Sequence, residues 1–259
     1  MKITSIIKRL YYLDITYTNV KNWIEFLYNH ILKKNKEMII VFRNGTKFKI
    51  NSNSGELNML FEIWFDKEYT PTGYKIHKDN IVIDIGANIG GYTIYSAQKC
   101  KKVYAFEPYK PSYKKLLDNI IMNDLNNVIP YNYALGFPKG KKKFYSNYHS
   151  GRNSFYKNPK PELEFENHTV SVITLNSFIK QNKIKKIDLL KMDCEGAEYE
   201  ILFNLNDKDY SKIKRIVMET HDFIKDKSIT DIYYLLKSKG YSIKINGAYL
   251  YATKENHKK

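Results

Sequence analysis

The sequence predicts an α/β domain, in which helices cover both faces of a mostly parallel β-sheet and a helical and β-hairpin extension comes first. Short apolar strands alternate with helical patterns from residue 81 onward, which is typical of a parallel sheet. Two strand-like runs then meet at Asn246 and Gly247, a turn signal that predicts a closing antiparallel hairpin. Asn44 and Gly45 form the same signal upstream of the alternating region.

We interpret residues 1–75 as an extension that packs on the core, and residues 76–259 as the main domain. Residues 38–50, "MIIVFRNGTKFKI", predict a hairpin because two β-rich runs flank the turn. The next segment, "GELNMLFEIWF", has helical periodicity and ends near Pro71. An earlier helix is predicted from apolar residues with the alternating three-and-one spacing of an amphipathic stripe: Val20, Trp23, Ile24, Leu27, Tyr28, Ile31 and Leu32.

This early helix has two interpretations that the sequence leaves open. Its stripe is of the kind that usually packs on a core. The basic segments "KRLYY" and "KKNK" that flank the region also suit a helix on a membrane surface. No apolar run reaches the ~18 residues of a membrane span, so we expect a soluble, cytoplasmic protein whose candidate for peripheral membrane contact is this helix.

The alternating region is assigned element by element. Strands are predicted at 81–86, 102–107, 128–134, 187–193 and 214–220, and helices at 89–99, 111–123, 197–205 and 229–239. Residues 137–170 interrupt the alternation with glycines, prolines and lysines. An insertion of this length is either a lid or binding loop, or a surface excursion of short strands, and both interpretations remain open.

The net charge of +16 first suggests a polyanionic partner. Only four of the 43 basic residues are arginine, however, and arginine is the residue that suits bidentate recognition of phosphates and guanines. A solvated, lysine-rich surface is therefore preferred, and nucleic acid is a less favoured partner. Cys100 and Cys194 have neither disulfide-framework nor zinc-site spacing, which fits a reducing compartment.

The stretch "IVIDIGANIGG", residues 81–91, carries the first site signal. Gly86 and Gly90 stand where a strand turns into a helix, and glycine there lets the backbone approach a ligand. Asn88 replaces the middle glycine of a dinucleotide motif, and Asp84 would repel a pyrophosphate but attract an ammonium group. Glu107 ends the second strand, where it can accept hydrogen bonds from both ribose hydroxyls. S-adenosylmethionine supplies both a ribose and an ammonium group.

A second group of charged residues follows the later strands. Asp193 ends the fourth strand, and Glu195 and Glu198 come directly after it. Glu219 and His221 follow the fifth strand on the same rim of the sheet. Charged groups in such places are costly unless they are paired, liganded or functional, and helix capping does not account for all of them.

Five segments in this order resemble the FkbM-type family of S-adenosylmethionine-dependent methyltransferases: "VIDIGANIGGYT", "VYAFEPYKPSYKKLLDNI", "YNYALG", "VSVITLNSFI" and "IDLLKMDCEGAEYEIL". The resemblance covers roughly residues 38–222. It implies a class I methyltransferase fold, with a Rossmann-like sheet of seven strands and an antiparallel last strand. It also implies the cofactor S-adenosylmethionine and, in most members, O-methylation of a sugar, glycolipid or polyketide hydroxyl.

The resemblance also implies roles for individual residues. The methionine end of the cofactor would lie among Asp84, Gly86, Asn88 and Gly90, and the ribose on Glu107. The adenine would lie near Pro108, Ala134 and Leu135. The donor methyl and the acceptor would lie beside Asp193, Glu195 and Gly196. The chain departs from the commoner pattern at Cys194, which stands where a β-branched residue is usual.

A hydroxyl acceptor needs a base, and His221 is the preferred candidate because imidazole titrates near neutrality, with Asp193 as the alternative. A metal held by Asp193 and Glu219 is left open without being assigned.

The acceptor is expected to be a small molecule, a glycan or a lipid-linked glycan. RNA methylation and a non-catalytic cofactor-binding module are the competing functions. Expected acceptor contacts are Glu219 and three residues of the insertion: His149, Arg152 and Ser154.

Overall fold

A computed structural model describes residues 2–32, 34, 36–52, 54–146, 153–156, 166–221, 224 and 226–254, with side chains described from residue 10 onward. Its helices are α1 Lys2–Asn19, α2 Trp23–Ile31, α3 Glu56–Trp64, α4 Gly91–Ala97, α5 Lys110–Met122, α6 Leu175–Gln181, α7 Ala197–Phe203, α8 Asp207–Tyr210 and α9 Ile229–Ser238. Its strands are β1 Glu37–Val41, β2 Lys47–Asn51, β3 Ile81–Ile85, β4 Lys102–Phe106, β5 Val128–Tyr131, β6 Ala134–Leu135, β7 Gly140–Ser146, β8 Glu166–Ile173, β9 Leu189–Met192, β10 Arg215–Glu219, β11 Tyr241–Asn246 and β12 Tyr249–Lys254.

The main sheet has seven strands in the order β11-β12-β10-β9-β3-β4-β5. β12 runs antiparallel to both of its neighbours, whereas β10, β9, β3, β4 and β5 pair in parallel. Both predictions about this sheet, seven strands and an antiparallel last strand, are confirmed. The order in which strands are added to the sheet reverses at β3, which pairs in parallel with β4 on one side and with β9 on the other. Ligands of open α/β sheets bind beyond the strand ends at such a reversal.

Successive residues of the central strands face opposite sides of this sheet. Val82 and Leu189 pack into one hydrophobic cluster, and their chain neighbours Ile83 and Leu190 pack into the other. A strand that is apolar on both faces is what a sheet covered by helices on both sides requires. The continuous apolar runs of the sequence therefore follow directly from this architecture.

The N-terminal elements share the first of these clusters. The predicted hairpin is confirmed as β1 and β2, with Met38 opposite Ile50. Asn119 of α5 and Asn123, which caps the end of that helix, hold β2. Asn119 Oδ1 accepts the Lys49 N–H at 2.6 Å, and Asn123 Oδ1 accepts the Lys47 N–H at 2.9 Å. Helix α1 was not predicted from the sequence. Among the described residues, no helix combines the length and apolarity needed to cross a membrane.

The insertion contains short strands. β7 and β8 pair antiparallel, and β6 adds in parallel to β8. Ser154 forms an isolated bridge with Tyr145, so the described part of the loop between these strands folds back onto β7. The excursion of short strands that the sequence allowed is therefore present, and its contribution to the cleft is described below.

Candidate active site

One cleft of about 190 Å³, open to solvent, lies beyond the carboxyl ends of the central strands. Nine of the residues predicted to form the site line it: Gly86, Asn88, Glu107, Pro108, Ala134, Leu135, Asp193, Glu195 and Glu219. The glycine turn and Glu107 form one part of its wall. The residues that follow β9 and β10 form another. The structure thus brings together two groups of residues that the sequence suggested separately.

The glycine turn packs directly against the backbone that follows β9. Gly86 has φ +77°, and a Cβ atom at this position would lie 1.8 Å from the Asp193 carbonyl oxygen. Asn88 also has a positive φ, +49°, which is uncommon for a residue with a side chain. The close approach requires glycine at position 86, because any side chain would push the two strand ends apart.

Gly86→Ala is therefore expected to destabilise the fold by about 3 kcal/mol or more, the sum of a left-handed backbone penalty and a backbone clash. Thermal or denaturant unfolding measures the loss. Gly55→Ala is the matched control, since a Cβ there meets nothing within 4 Å and the residue has no positive φ. Equal stability of the two variants would contradict the packing described for Gly86.

Glu107 is only 5% exposed, and both of its carboxylate oxygens accept backbone N–H groups. Oε2 accepts from Asn88 at 2.8 Å, and Oε1 accepts from Tyr109 at 2.8 Å. Burial raises the pKa of Glu107 to about 7, although the two backbone N–H groups act in the opposite direction. Each carboxylate oxygen has two lone pairs, so each keeps one for a ligand hydroxyl.

Asp84 differs from its predicted role. It is fully buried beneath the cleft, where Oδ2 accepts from the Thr93 hydroxyl at 2.6 Å and Oδ1 lies 3.1 Å from Lys191 Nζ. Lys191 also donates to the Gly86 carbonyl at 2.9 Å. The charge of Asp84 is thus balanced by Lys191, and Asp84 supports the turn rather than attracting an ammonium group directly. Gly90, with φ +94°, is the N-cap residue of α4.

Two carboxylates meet at a tyrosine on the far side of the cleft. The Tyr69 hydroxyl lies 2.9 Å from Asp193 Oδ2 and 3.2 Å from Glu219 Oε2. One hydroxyl has one hydrogen, so it can donate to only one of these oxygens at a time. Burial, together with the charge of Asp193, raises the pKa of Glu219 to about 7.

His221 lies between two further carboxylates. Its Nε2 is 3.5 Å from Glu195 Oε2, and its Nδ1 is 3.4 Å from Glu198 Oε1. Burial lowers the pKa of His221, but the hydrogen bond and charge of Glu198 and the charge of Glu195 outweigh burial and raise that pKa to about 10. At neutral pH the imidazole therefore already carries its second proton. This argues against the prediction of His221 as the general base.

Glu195 has the backbone and the environment of a functional residue. Its φ is +52°, a left-handed conformation that costs a non-glycine residue about 1–3 kcal/mol. Burial raises the pKa of its carboxyl to about 8, against the opposing effect of His221. Glu198 clamps the same loop, because its carboxylate accepts the N–H groups of Cys194 at 2.8 Å and Gly196 at 2.7 Å.

Comparison with known proteins assigns the family. Residues 84–243 match the family model for the Methyltransferase FkbM domain. This chain belongs to the FkbM methyltransferase family. Its cofactor is S-adenosylmethionine, and the cleft suits it: Glu107 offers two acceptor oxygens for a ribose, beside a glycine turn at a strand-order reversal.

Similar proteins include two with named acceptors. The 31-O-demethyl-FK506 methyltransferase FkbM of Streptomyces tacrolimicus is 26% identical over 235 residues, which cover 79% of this chain and 89% of that protein. The hexuronic acid methyltransferase AglP of Haloferax volcanii is 23% identical over 155 residues, which cover 60% of this chain and 62% of that protein.

Two further matches cover only part of larger proteins. The AMB antimetabolite synthetase AmbE of Pseudomonas aeruginosa is 28% identical over 196 residues, and this chain covers 9% of its length. The crystal structure of a methyltransferase FkbM from Methylobacillus flagellatus superposes with a TM-score of 0.50 at 16% identity, over 71% of this chain and 47% of that one. At this identity the superposition shows the shared fold alone.

In this FkbM methyltransferase, two important side chains of the cleft were not predicted from the sequence. Lys191 is a buried lysine within an otherwise apolar strand, and this unusual placement was a signal that could have been used. Tyr69 comes from the loop after α3 and ends "FEIWFDKEY", a segment that belongs to the resemblance to the FkbM family, but no role was assigned to it.

The insertion contributes to the cleft through residues other than those predicted. Asn153 and Phe155 line the cleft. Ser154, predicted to contact the acceptor, is 2% exposed and donates its hydroxyl to the Glu195 carbonyl at 2.5 Å. It therefore holds the insertion against the loop that carries Glu195. His149 and Arg152 lie outside the described residues, so their predicted roles stay predictions.

Asp193, Glu219 and His221 each offer one atom that could bind a metal ion, and these three atoms lie within 4.8 Å of one another. This group extends the carboxylate pair that the sequence left open as a metal site. Both ring nitrogens of His221 already face carboxylates, with Nε2 3.5 Å from Glu195 and Nδ1 3.4 Å from Glu198. We assign no metal to this site.

Proposed function

We propose that this FkbM methyltransferase methylates a hydroxyl group on a sugar, glycan or glycolipid. One observation carries the proposal: a single cleft joins Glu107, which suits the ribose of the cofactor, to the ionisable residues Asp193, Glu195 and Glu219. S-adenosylmethionine supplies an electrophilic methyl group when it is bound. The chain itself must then align a hydroxyl and remove its proton.

Glu195 is the residue that we propose as the general base. A base works best when its pKa lies near the working pH, and the pKa of Glu195, about 8, meets this condition. His221 remains protonated beside it and orients the carboxylate through the 3.5 Å contact. Asp193 accepts from Tyr69 and lies 3.8 Å from Lys191, which leaves it as a positioning group in this scheme.

A hydroxylated acceptor fits the lining of the cleft and the names of two relatives. Phe155 offers an aromatic surface and Asn153 a polar side chain, a combination that suits sugar rings and their hydroxyls. The related proteins from Streptomyces tacrolimicus and Haloferax volcanii are named for 31-O-demethyl-FK506 and a hexuronic acid.

RNA has weaker support as an acceptor. Only four of the 43 basic residues are arginine, the residue that suits bidentate recognition of phosphates. The sequence also lacks the Asn/Asp-Pro-Pro-aromatic motif that base methylation commonly relies on. A polyhydroxylated acceptor therefore has stronger support than a nucleic acid.

The proposal is tested with isotopically labelled S-adenosylmethionine and a panel of methyl glycosides, hexuronic acids, lipid-linked glycans and RNA. We expect label in a hydroxylated acceptor, in a product that survives mild alkali, because methyl ethers are stable where methyl esters hydrolyse. Label only in RNA, only as an alkali-labile ester, or in no acceptor despite cofactor binding would contradict the proposal. A parallel series with EDTA tests whether a metal assists the reaction. A metal-assisted mechanism predicts that EDTA abolishes activity and that added Mg²⁺ restores it.

A further inference from the structure

Exposed apolar side chains are concentrated at the N-terminal end of the described chain. Among residues whose side chains the structure describes, eight of the fourteen exposed large hydrophobic residues lie within positions 10–32. They are Leu10, Tyr11, Leu13, Tyr17, Ile24, Tyr28, Ile31 and Leu32. Large contiguous apolar patches are rare on soluble proteins unless the patch binds something.

In α2 these residues form one outward stripe. Ile24, Tyr28 and Ile31 follow the i, i+4, i+7 spacing of a single helix face, and they are 66%, 58% and 72% exposed. Phe26 and Asn29 are buried on the opposite face. A helix whose only role is packing has polar residues on its outer face, so the outward stripe of α2 needs another explanation.

The protein holds this stripe in place. The Asn22 side chain donates to the Ile39 carbonyl at 2.8 Å and accepts the Val41 N–H at 3.0 Å, which fixes the start of α2 on β1. Near the other end, His30 Nδ1 lies 3.0 Å from the Ser52 carbonyl oxygen. These contacts anchor both ends of α2 on the hairpin, so the apolar face is presented outward by a fixed helix.

Basic residues surround the stripe. Lys21, Lys34 and Lys36 are exposed at the two ends of α2, and residues 1–36 contain seven basic and only two acidic residues. Lys34 Nζ lies 4.8 Å from the centre of the Tyr28 ring. An apolar face with aromatic residues and a lysine border is the composition of helices that lie in the interface of anionic membranes.

We propose that the outer face of α1 and α2 binds the surface of a membrane that contains anionic lipids. A second copy of the chain is a poorer occupant, since it would bring the lysines of two copies together, whereas anionic headgroups neutralise them. This surface is independent of the chemistry proposed above and adds a partner to it.

The surface is also connected to the cleft. Tyr12 of α1 stacks on Phe61 of α3 with ring centres 6.0 Å apart. The same helix α3 lines the cleft with Met59 and Ile63. A bound membrane would therefore lie about one helix layer from the acceptor site, an arrangement that suits an acceptor attached to a lipid.

Co-sedimentation with vesicles tests the proposal on the full chain. Wild-type protein should bind vesicles of phosphatidylcholine and phosphatidylglycerol, bind phosphatidylcholine alone far less, and dissociate in high salt. Ile24→Ser/Ile31→Ser should weaken vesicle binding by at least about tenfold, because two exposed isoleucines no longer insert. Ile121→Ser/Ile245→Ser is the matched control, since it removes two exposed isoleucines, 71% and 43%, from α5 and β11.

Three outcomes would overturn the proposal. The first is failure of the wild type, shown to be folded by cofactor binding, to sediment with anionic vesicles. The second is an equal loss of vesicle binding in the two double variants. The third is self-association by sedimentation velocity that Ile24→Ser/Ile31→Ser abolishes, which would make a second copy the occupant.

Discussion

Glu195→Gln is expected to reduce the turnover number for methyl transfer by about 10²–10⁴-fold, the usual contribution of a general base. Glutamine keeps the shape of the side chain but cannot take a proton from the acceptor. Affinity for S-adenosylmethionine should change little, because Glu107 and the glycine turn provide the proposed contacts to the rest of the cofactor. Steady-state rates with an identified acceptor and calorimetric titration of the cofactor measure the two quantities.

Glu200→Gln is the control for nonspecific damage to this segment. Glu200 lies on α7, where it pairs with Lys142 at 2.6 Å and accepts from the Tyr156 hydroxyl at 2.8 Å. Its replacement should lower stability modestly and leave turnover near normal. If Glu195→Gln retained more than about a tenth of the wild-type rate, the assignment of Glu195 as base would be wrong, and Asp193→Asn would be tested next.

The wild-type pH profile gives an independent prediction about the same residue. The base must be ionised, so kcat/KM should rise with pH until the raised pKa of Glu195, about 8, is passed. It should fall again as His221 loses its proton at about 10, because the orienting charge then disappears. A rate that is already level between pH 6 and 9 would contradict this assignment.

The parts of the site that the sequence predicted are those that local patterns determine. Strand periodicity locates each carboxyl end, and the first residues beyond these ends, among them Gly86, Glu107 and Asp193, therefore fall on one rim. The resemblance to the FkbM family adds the order of the motifs. Strand periodicity and motif order can both be read from the sequence without knowing which distant segments contact each other. This is why the strand-end positions that they predict agree with the structure.

Two predicted roles, those of Asp84 and His221, are argued against by pairings between distant segments. Asp84 was expected to face the cofactor, but the register of β3 and β9 sets it opposite Lys191, and the two charges are paired beneath the cleft. His221 was expected to be a base, but its protonation depends on Glu195 and Glu198 lying on both sides of the ring. Such charge balances depend on the fold and cannot be read from spacing along the chain.

Glu107 has two tasks in the cleft: it holds nearby backbone in place, and it offers acceptor oxygens to the ribose of the cofactor. Its carboxylate fixes the glycine turn through Asn88 and the start of α5 through Tyr109, and its remaining lone pairs are free for the two ribose hydroxyls. Both tasks require an ionised carboxylate, since glutamine would direct an amide N–H toward a backbone N–H. The cofactor site therefore depends on the charge of this side chain as well as on its position.

Glu107→Ala is expected to weaken S-adenosylmethionine binding by at least about 100-fold, because two hydrogen bonds to a charged group contribute roughly 3 kcal/mol or more together. Calorimetric titration measures the affinity, NAD serves as a ligand that should not bind, and thermal unfolding reports whether the variant is folded. Wild-type affinity should also fall as pH drops below about 7, since the raised pKa leaves Glu107 protonated there. Glu107→Gln should bind weakly with no such pH dependence. Unchanged affinity in a folded Glu107→Ala protein would show that the ribose lies elsewhere in the cleft.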